Sequence, residues 1–385
     1  MYRSDVVGSL LRPDYLKQAR AKHQSGEIPE TEFKRIEDRA VREAIALQTG
    51  AGLDIITDGE MRRYAFYGHF IDATDGFDKF GGWAIPFRDE EGNELLFKRP
   101  VVVSRLRRRR SMCTEEFVFS RASTDQPVKV TLINAQQTAA YYDSVKSKGA
   151  YPTVEGYLAD VVDILRGEVE ELIQLGCTYI QLDSPQYTGL IDPAIREGYR
   201  KRGSDPDKLL DRCIELDNAV IGNHPGVQFG LHLCRGNNQS KFYARGGYGP
   251  IAAKVFQRTR FHRFLLEYDD ERSGDFKPLR QVPEDRTVVL GLVTTKKPAL
   301  ESKETLKRRI EEATQFIPLE RLALSAGSLR LRKVICSAWL SRKQNCVWSP
   351  KPPERSGSRN RPGAKVRRRC HCEGWRHRSA SRRPT

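Results

Sequence analysis

The chain has 385 residues, 30% of them charged and 38% hydrophobic. Such a length buries a real core in one large domain or two ordinary ones, and no apolar run approaches the roughly 18–20 residues that a membrane-spanning helix needs. The net charge of +16 would point to nucleic acid, but residues 326–385 hold about 17 Lys and Arg against two acids, leaving only about +1 for everything before them. Charge appears at once in residues 1–5 and no apolar leader follows, so a cytoplasmic location is expected. Eight cysteines without regular spacing in the body read as reduced thiols and possible metal ligands, not as a disulfide framework.

In chain order, short β-branched or apolar runs alternate with longer segments of helical period. The runs predict strands at residues 5–8, 53–57, 128–133, 178–182, 227–231, 263–266, 288–293 and 322–324. Helices are predicted at 31–48, 154–175, 209–221 and 303–314; Val161, Ile164, Leu165, Val169, Leu172 and Ile173 recur at steps of three and four. Eight β/α units predict an α/β fold of the (β/α)8 TIM-barrel type, with residues 67–126 inserted over its mouth. An open doubly wound sheet would compete, but no Gly-rich phosphate loop follows an early strand. The barrel domain is expected to span residues 1–325. From 326 to 385 acids nearly vanish and the helical period stops, while three of four tryptophans and four of eight cysteines accumulate, which predicts an irregular, basic, disordered tail.

Residues at the C-terminal ends of barrel strands face the mouth, so polar groups there are the first candidates for function. The second strand runs into Thr57-Asp58-Gly59-Glu60, the fourth into Gln181-Leu182-Asp183-Ser184-Pro185, the fifth into His232-Leu233-Cys234-Arg235, and the sixth into Glu267-Tyr268-Asp269-Asp270. His232 and Cys234 stand two apart, so both project to one side of a strand, and Glu267 could add an oxygen ligand from its neighbour. Imidazole and thiolate favour zinc over magnesium or calcium. The plainer alternatives are a His and a Cys packed at a strand end, and acids that cap the next helix.

Taken together, Val7-Gly8-Ser9, Asp58-Gly59-Glu60, Ile180-Gln181-Leu182-Asp183-Ser184-Pro185 and His232-Leu233-Cys234, in this order, resemble the C-terminal catalytic barrel of cobalamin-independent methionine synthase and its single-barrel relatives. The resemblance implies a zinc-dependent transfer of a methyl or alkyl group to a thiol, with 5-methyltetrahydrofolate (polyglutamate) and homocysteine as donor and acceptor. It implies that His232, Cys234 and Glu267 are zinc ligands. It also implies that Ser9, Glu60 and Asp183 hold the amino-acid part of the thiol substrate, Glu60 and Asp183 being the candidate catalytic carboxylates. The partners would then be small molecules, with no membrane.

Two departures qualify what is implied. The seventh strand ends in Leu292-Val293-Thr294-Thr295-Lys296-Lys297, where the family carries a proton-donating histidine, so another alkyl donor or thiol is an alternative. After Ser325 the family's last zinc-binding cysteine is replaced by Ala326-Gly327-Ser328-Leu329-Arg330. Codons allowed for residues 326–332 read, one base over, as Gln-Gly-Ala-Phe-Ala-Phe, which suggests a shifted reading frame and weakened or absent activity. The remaining alternative is an inactive barrel whose tail, with Arg367, Arg368, Arg369, Cys370, His371 and Cys372, binds nucleic acid, nonspecifically and with strong salt dependence.

Overall fold

The computed structural model describes residues 3–89, 91–294, 296 and 301–326, the last residue by its backbone alone. The basic tail, with its expected disorder and its Arg367–372 cluster, lies outside the described residues from 327 onward.

The first strand, β1 (Ser4–Val6), leads into α1 (Asp14–Gln24) and α2 (Glu30–Gly50). The inserted stretch comprises α3 (Gly68–Ala73), β2 (Thr74–Asp78), β3 (Ala84–Arg88), β4 (Glu94–Lys98), β5 (Val101–Arg108) and α4 (Thr114–Ala122). Beyond it come β6 (Val130–Ile133), α5 (Val154–Gln174), β7 (Tyr179–Asp183), α6 (Pro185–Gly189), α7 (Pro193–Lys201), α8 (Pro206–Ile221), β8 (Gln228–Leu233), α9 (Gly249–Arg258), β9 (Arg263–Glu267), β10 (Thr287–Val293), α10 (Lys303–Thr314) and β11 (Leu322–Ala326). Strands β1, β11, β10, β9, β8, β7 and β6 are hydrogen-bonded in that order and all parallel. This curled parallel sheet is seven of the eight expected staves.

The strand expected at 53–57 is reduced to one parallel bridge, Ile56 to Val128. Side chains take over its ladder. Asp54 Oδ2 accepts the backbone N–H groups of Arg3 and Ser4 at 2.7 and 2.9 Å, and Ser4 Oγ accepts from Asp54 N. From α2 the Gln48 amide accepts from Thr57 N–H and donates to Thr57 C=O, while toward β6 Ile56 donates to the Pro127 carbonyl and accepts from Lys129 N–H. The backbone groups are satisfied and the ring between β1 and β6 is bridged without a regular strand.

Helix α5 illustrates why the shell packs. Thr153 caps its N-terminus by accepting the Gly156 N–H, and Tyr157, Leu158, Val161, Leu165, Val169 and Leu172 form one buried stripe against the sheet. Inside the barrel, however, the lower layer is polar. Lys129 donates to Asp5 Oδ1 and to Gln181 Oε1, both at 2.7 Å, Tyr179 O–H donates to Asp5 Oδ2 at 2.8 Å, and Arg263 Nε lies 3.5 Å from the same carboxylate. Burial opposes the charge on Asp5, but Lys129 and Arg263 hold its carboxyl below the usual range. A buried pair of this kind ties strands together and is costly to break on one side.

In the insertion, β2 pairs with β5 and β3 with β4, both antiparallel. The β3–β4 hairpin reaches the mouth, where Arg88 exchanges backbone hydrogen bonds with Phe242 and Asp89 pairs with Lys241. Insertion and mouth therefore meet, as the position of residues 67–126 led one to expect.

Candidate functional site

Strand register builds the site. Asp183 and His232 are direct partners across β7 and β8, and Leu233 pairs with Leu266 across β8 and β9, so Cys234 and Glu267 follow side by side at the strand ends. Ser9, Glu60, Asp183, His232, Cys234 and Glu267 all line one cavity of about 2130 Å³ at this end of the barrel. Its outer part is walled by the insertion, including Phe80, Trp83, Phe87 and Arg99.

His232 Nδ1 is 2.8 Å from Asp183 Oδ1, and the same oxygen accepts from Gln181 Nε2 at 2.8 Å. Gln181 is in turn anchored by Lys129, so the buried polar layer reaches the mouth through a continuous set of hydrogen bonds. This contact leaves His232 Nε2 as the ring atom available to a ligand, the arrangement in which a carboxylate orients a metal-binding imidazole. The Cys234 thiol is pushed up to about 12 by burial first and then by the Glu267 charge, so without a cation it stays protonated at neutral pH.

Glu60 sits at φ 55°, a left-handed conformation unusual for a residue with a side chain. Its N–H donates to Asp58 Oδ1 at 2.8 Å and its carbonyl accepts from Arg12 Nη2 at 3.0 Å, which together hold the turn. Thr131 O–H donates to Glu60 Oε1 at 3.0 Å, while Oε2 is buried with no hydrogen-bond partner among the described residues. Burial raises the Glu60 carboxyl against the opposing pull of Arg63, and Asp183 is close enough to raise it further. Asp58 is raised to about 7, again by burial and then by Glu116. Asp58 thus does what the plainer alternative expected of a loop acid, except that it caps a turn; Asp183 and Glu60 do not cap helices. Ser9 is exposed beside Gly8, whose φ of +151° and close approach to Thr131 leave no room for a side chain: a Cβ there would lie 2.7 Å from Thr131 Cγ2.

Among the described residues, no three His, Cys, Asp or Glu side chains are gathered around one position that could hold a metal ion. His232, Cys234 and Glu267 share the cavity without closing a coordination set. Both Glu267 oxygens are engaged: Oε2 accepts Arg235 N–H at 2.6 Å and Oε1 accepts Lys296 Nζ at 2.9 Å. The donor types and their strand positions nevertheless fit zinc, with an imidazole nitrogen, a thiol and a carboxylate on adjacent staves.

The sequence reading missed several groups. Arg235 is fully buried and donates to the carbonyls of Gly246 and Glu267, which locks the loop after Cys234 to β9. Lys296 stands just after the strand end, in the region where the resemblance implies a histidine. An ionisable residue next to an apolar strand end is the one signal that could have marked it.

A parallel barrel whose C-terminal mouth collects an imidazole, a thiol and three carboxylates is the frame of a barrel enzyme. Residues 3–327 match the family model described as the catalytic domain of cobalamin-independent synthase, and the chain belongs to that family. It is 32% identical to the uncharacterized protein YxjH of Bacillus subtilis, over 84% of this chain and 86% of that protein. It is 26% identical to methionine synthase of Pyrococcus abyssi, over 84% of each. A B12-independent methionine synthase from Shewanella sp. W3-18-1, solved in complex with selenomethionine, shares the fold with a TM-score of 0.68 at 20% identity, over 89% of this chain and 98% of that one. Among the described residues no helix is long and apolar enough to cross a membrane.

Proposed function

We propose that this barrel transfers a methyl or other alkyl group to a zinc-activated thiol, with homocysteine as first acceptor and 5-methyltetrahydrofolate as first donor. The observation that carries the reading is the coupled pair at the mouth: Asp183 orients His232 beside Cys234, while the buried Glu60 keeps one oxygen without a hydrogen-bond partner. His232, Cys234 and Glu267 would hold zinc, which when bound would lower the pKa of a coordinated substrate thiol so that its proton leaves to solvent and the sulfur remains a nucleophilic thiolate. Glu60 and Asp183 are suited to receive the ammonium of an amino-acid thiol, and the backbone around Gly8 and Ser9 its carboxylate. The selenomethionine held by the Shewanella relative is the selenium form of the product this reading requires.

Residues 1–325 are read as the barrel domain and residues after Ser325 as a shifted reading frame that removes the last metal ligand, so the native chain turns over weakly or not at all. Strand β10 and residues 294–326 carry no histidine, which favours a donor other than folate as the second reading. The test compares methionine formation from homocysteine by the zinc-loaded native chain and by a chain continued in the shifted frame after Ser325. Turnover in the continued chain, reduced in the native one, is expected. If the continued chain binds zinc but alkylates no thiol from any methyl donor, the proposed reaction is wrong.

A further inference from the structure

We propose that Lys296 is a built-in competitor for the third ligand of the metal site, and that metal enters only when its ammonium leaves Glu267 and settles on Asp269. The inference rests on the zinc reading of His232, Cys234 and Glu267. Lys296 Nζ lies 2.9 Å from Glu267 Oε1 and 3.0 Å from Asp269 Oδ2, bridging two carboxylates that are themselves nearly buried. With Oε2 taken by the Arg235 N–H at 2.6 Å, a cation bound by Glu267 would use Oε1 at roughly 2.0–2.2 Å, where the ammonium's charge repels it, so the two compete for that oxygen.

The geometry also provides the resting place. Asp269 Oδ1 has no hydrogen bond among the described residues and only the Arg272 guanidinium at 3.7 Å, so its carboxylate can keep the ammonium by itself. Arg272 cannot take over the blocking role as it stands: its guanidinium is held 2.5 Å from Asp270 and 4.2 Å over the Phe242 ring, and it reaches Glu267 only at 3.6 Å. Lysine, with a compact charge on a flexible four-carbon stem, is the movable partner of the two. Cys234 and His232 would then meet the metal first, and Glu267 would join when Lys296 withdraws.

Opposite effects of two substitutions follow. Lys296→Met removes the competitor while keeping an unbranched side chain of similar reach, and should tighten zinc binding by about ten- to hundredfold, the range in which groups behind the ligands act. Asp269→Asn removes the resting place, leaves the ammonium on Glu267, and should weaken zinc binding by about tenfold. The experiment is competition for zinc between a chromophoric chelator and the full chain, native, Lys296→Met, Lys296→Gln and Asp269→Asn, with urea midpoints to confirm that each is folded and His232→Ala as reference. Tighter binding in both Lys296 variants with weaker binding in Asp269→Asn supports the proposal. If zinc binds in a His232-dependent way but the Lys296 variants bind it equally or more weakly, the competitor role is refuted while the metal reading survives. If no variant takes zinc, both fall together.

Discussion

Asp217 offers a test of how burial sets charge in this barrel. It lies on α8 with no solvent exposure, accepting Tyr187 O–H at 2.8 Å on Oδ2 and the Asn134 amide on Oδ1. Burial pushes its carboxyl up to about 8, and the two hydrogen bonds pull back only in part. The folded chain therefore holds a proton on Asp217 that the unfolded chain, near pKa 3.9, has lost. Between about pH 4 and pH 8 the folded state binds more protons than the unfolded one, so this group's contribution is full below the unfolded pKa and is lost as pH rises. The loss runs at roughly 1.4 kcal/mol per pH unit, on the order of 5 kcal/mol across the window. Asp217→Asn keeps the neutral shape without the proton. Urea unfolding at pH 5, 6.5 and 8 should show the variant gaining on the native chain at each step upward, most at pH 8. Parallel pH profiles for the two proteins, or a uniform loss in the variant, would refute the assignment. The contact matters to the site because Asn134 N–H donates to the Asp183 carbonyl, and Tyr187 sits on the helix that follows Asp183.

Asp183→Asn keeps the shape beside His232 but removes the negative charge that orients it, and zinc affinity should fall about ten- to hundredfold in chelator competition; unchanged affinity would mean that the imidazole needs no such partner. Glu60→Gln should leave zinc affinity unchanged and weaken binding of an amino-acid thiol by about 1.5–3 kcal/mol, the worth of a hydrogen bond to a charged group. Calorimetric titration with homocysteine reads this directly, and an unaffected dissociation constant would remove Glu60 from the substrate site.

Most of the seven staves and the four long helices were legible because they bury an apolar run or stripe that local pattern exposes. Val288 to Val293 and the α5 stripe show this well. Strand β1, Ser4-Asp5-Val6, instead buries a charge. The second stave was legible as an apolar run but not as a bridge, since the Asp54 side chain reaching β1, about fifty residues away, leaves no local trace. Long range also hid the polar barrel floor: Asp5 and Lys129 are 124 residues apart, and nothing near either announces the other. At the mouth, the two-residue period at the end of β8 accompanies His232 and Cys234 lining one cavity. It could not foresee that Glu267, one stave over, would be held by Lys296 from the next, because cross-strand neighbours depend on register and side-chain reach.

The central claim is that His232, Cys234 and Glu267 hold zinc for thiol chemistry. Zinc content after purification in zinc-supplemented medium tests it most directly, in the native chain, in His232→Ala and in the chain continued in the shifted frame. The account predicts near-stoichiometric zinc in the continued chain, less in the native one, and loss in His232→Ala. Zinc absent from both the native and continued chains, or retained in His232→Ala, would contradict it.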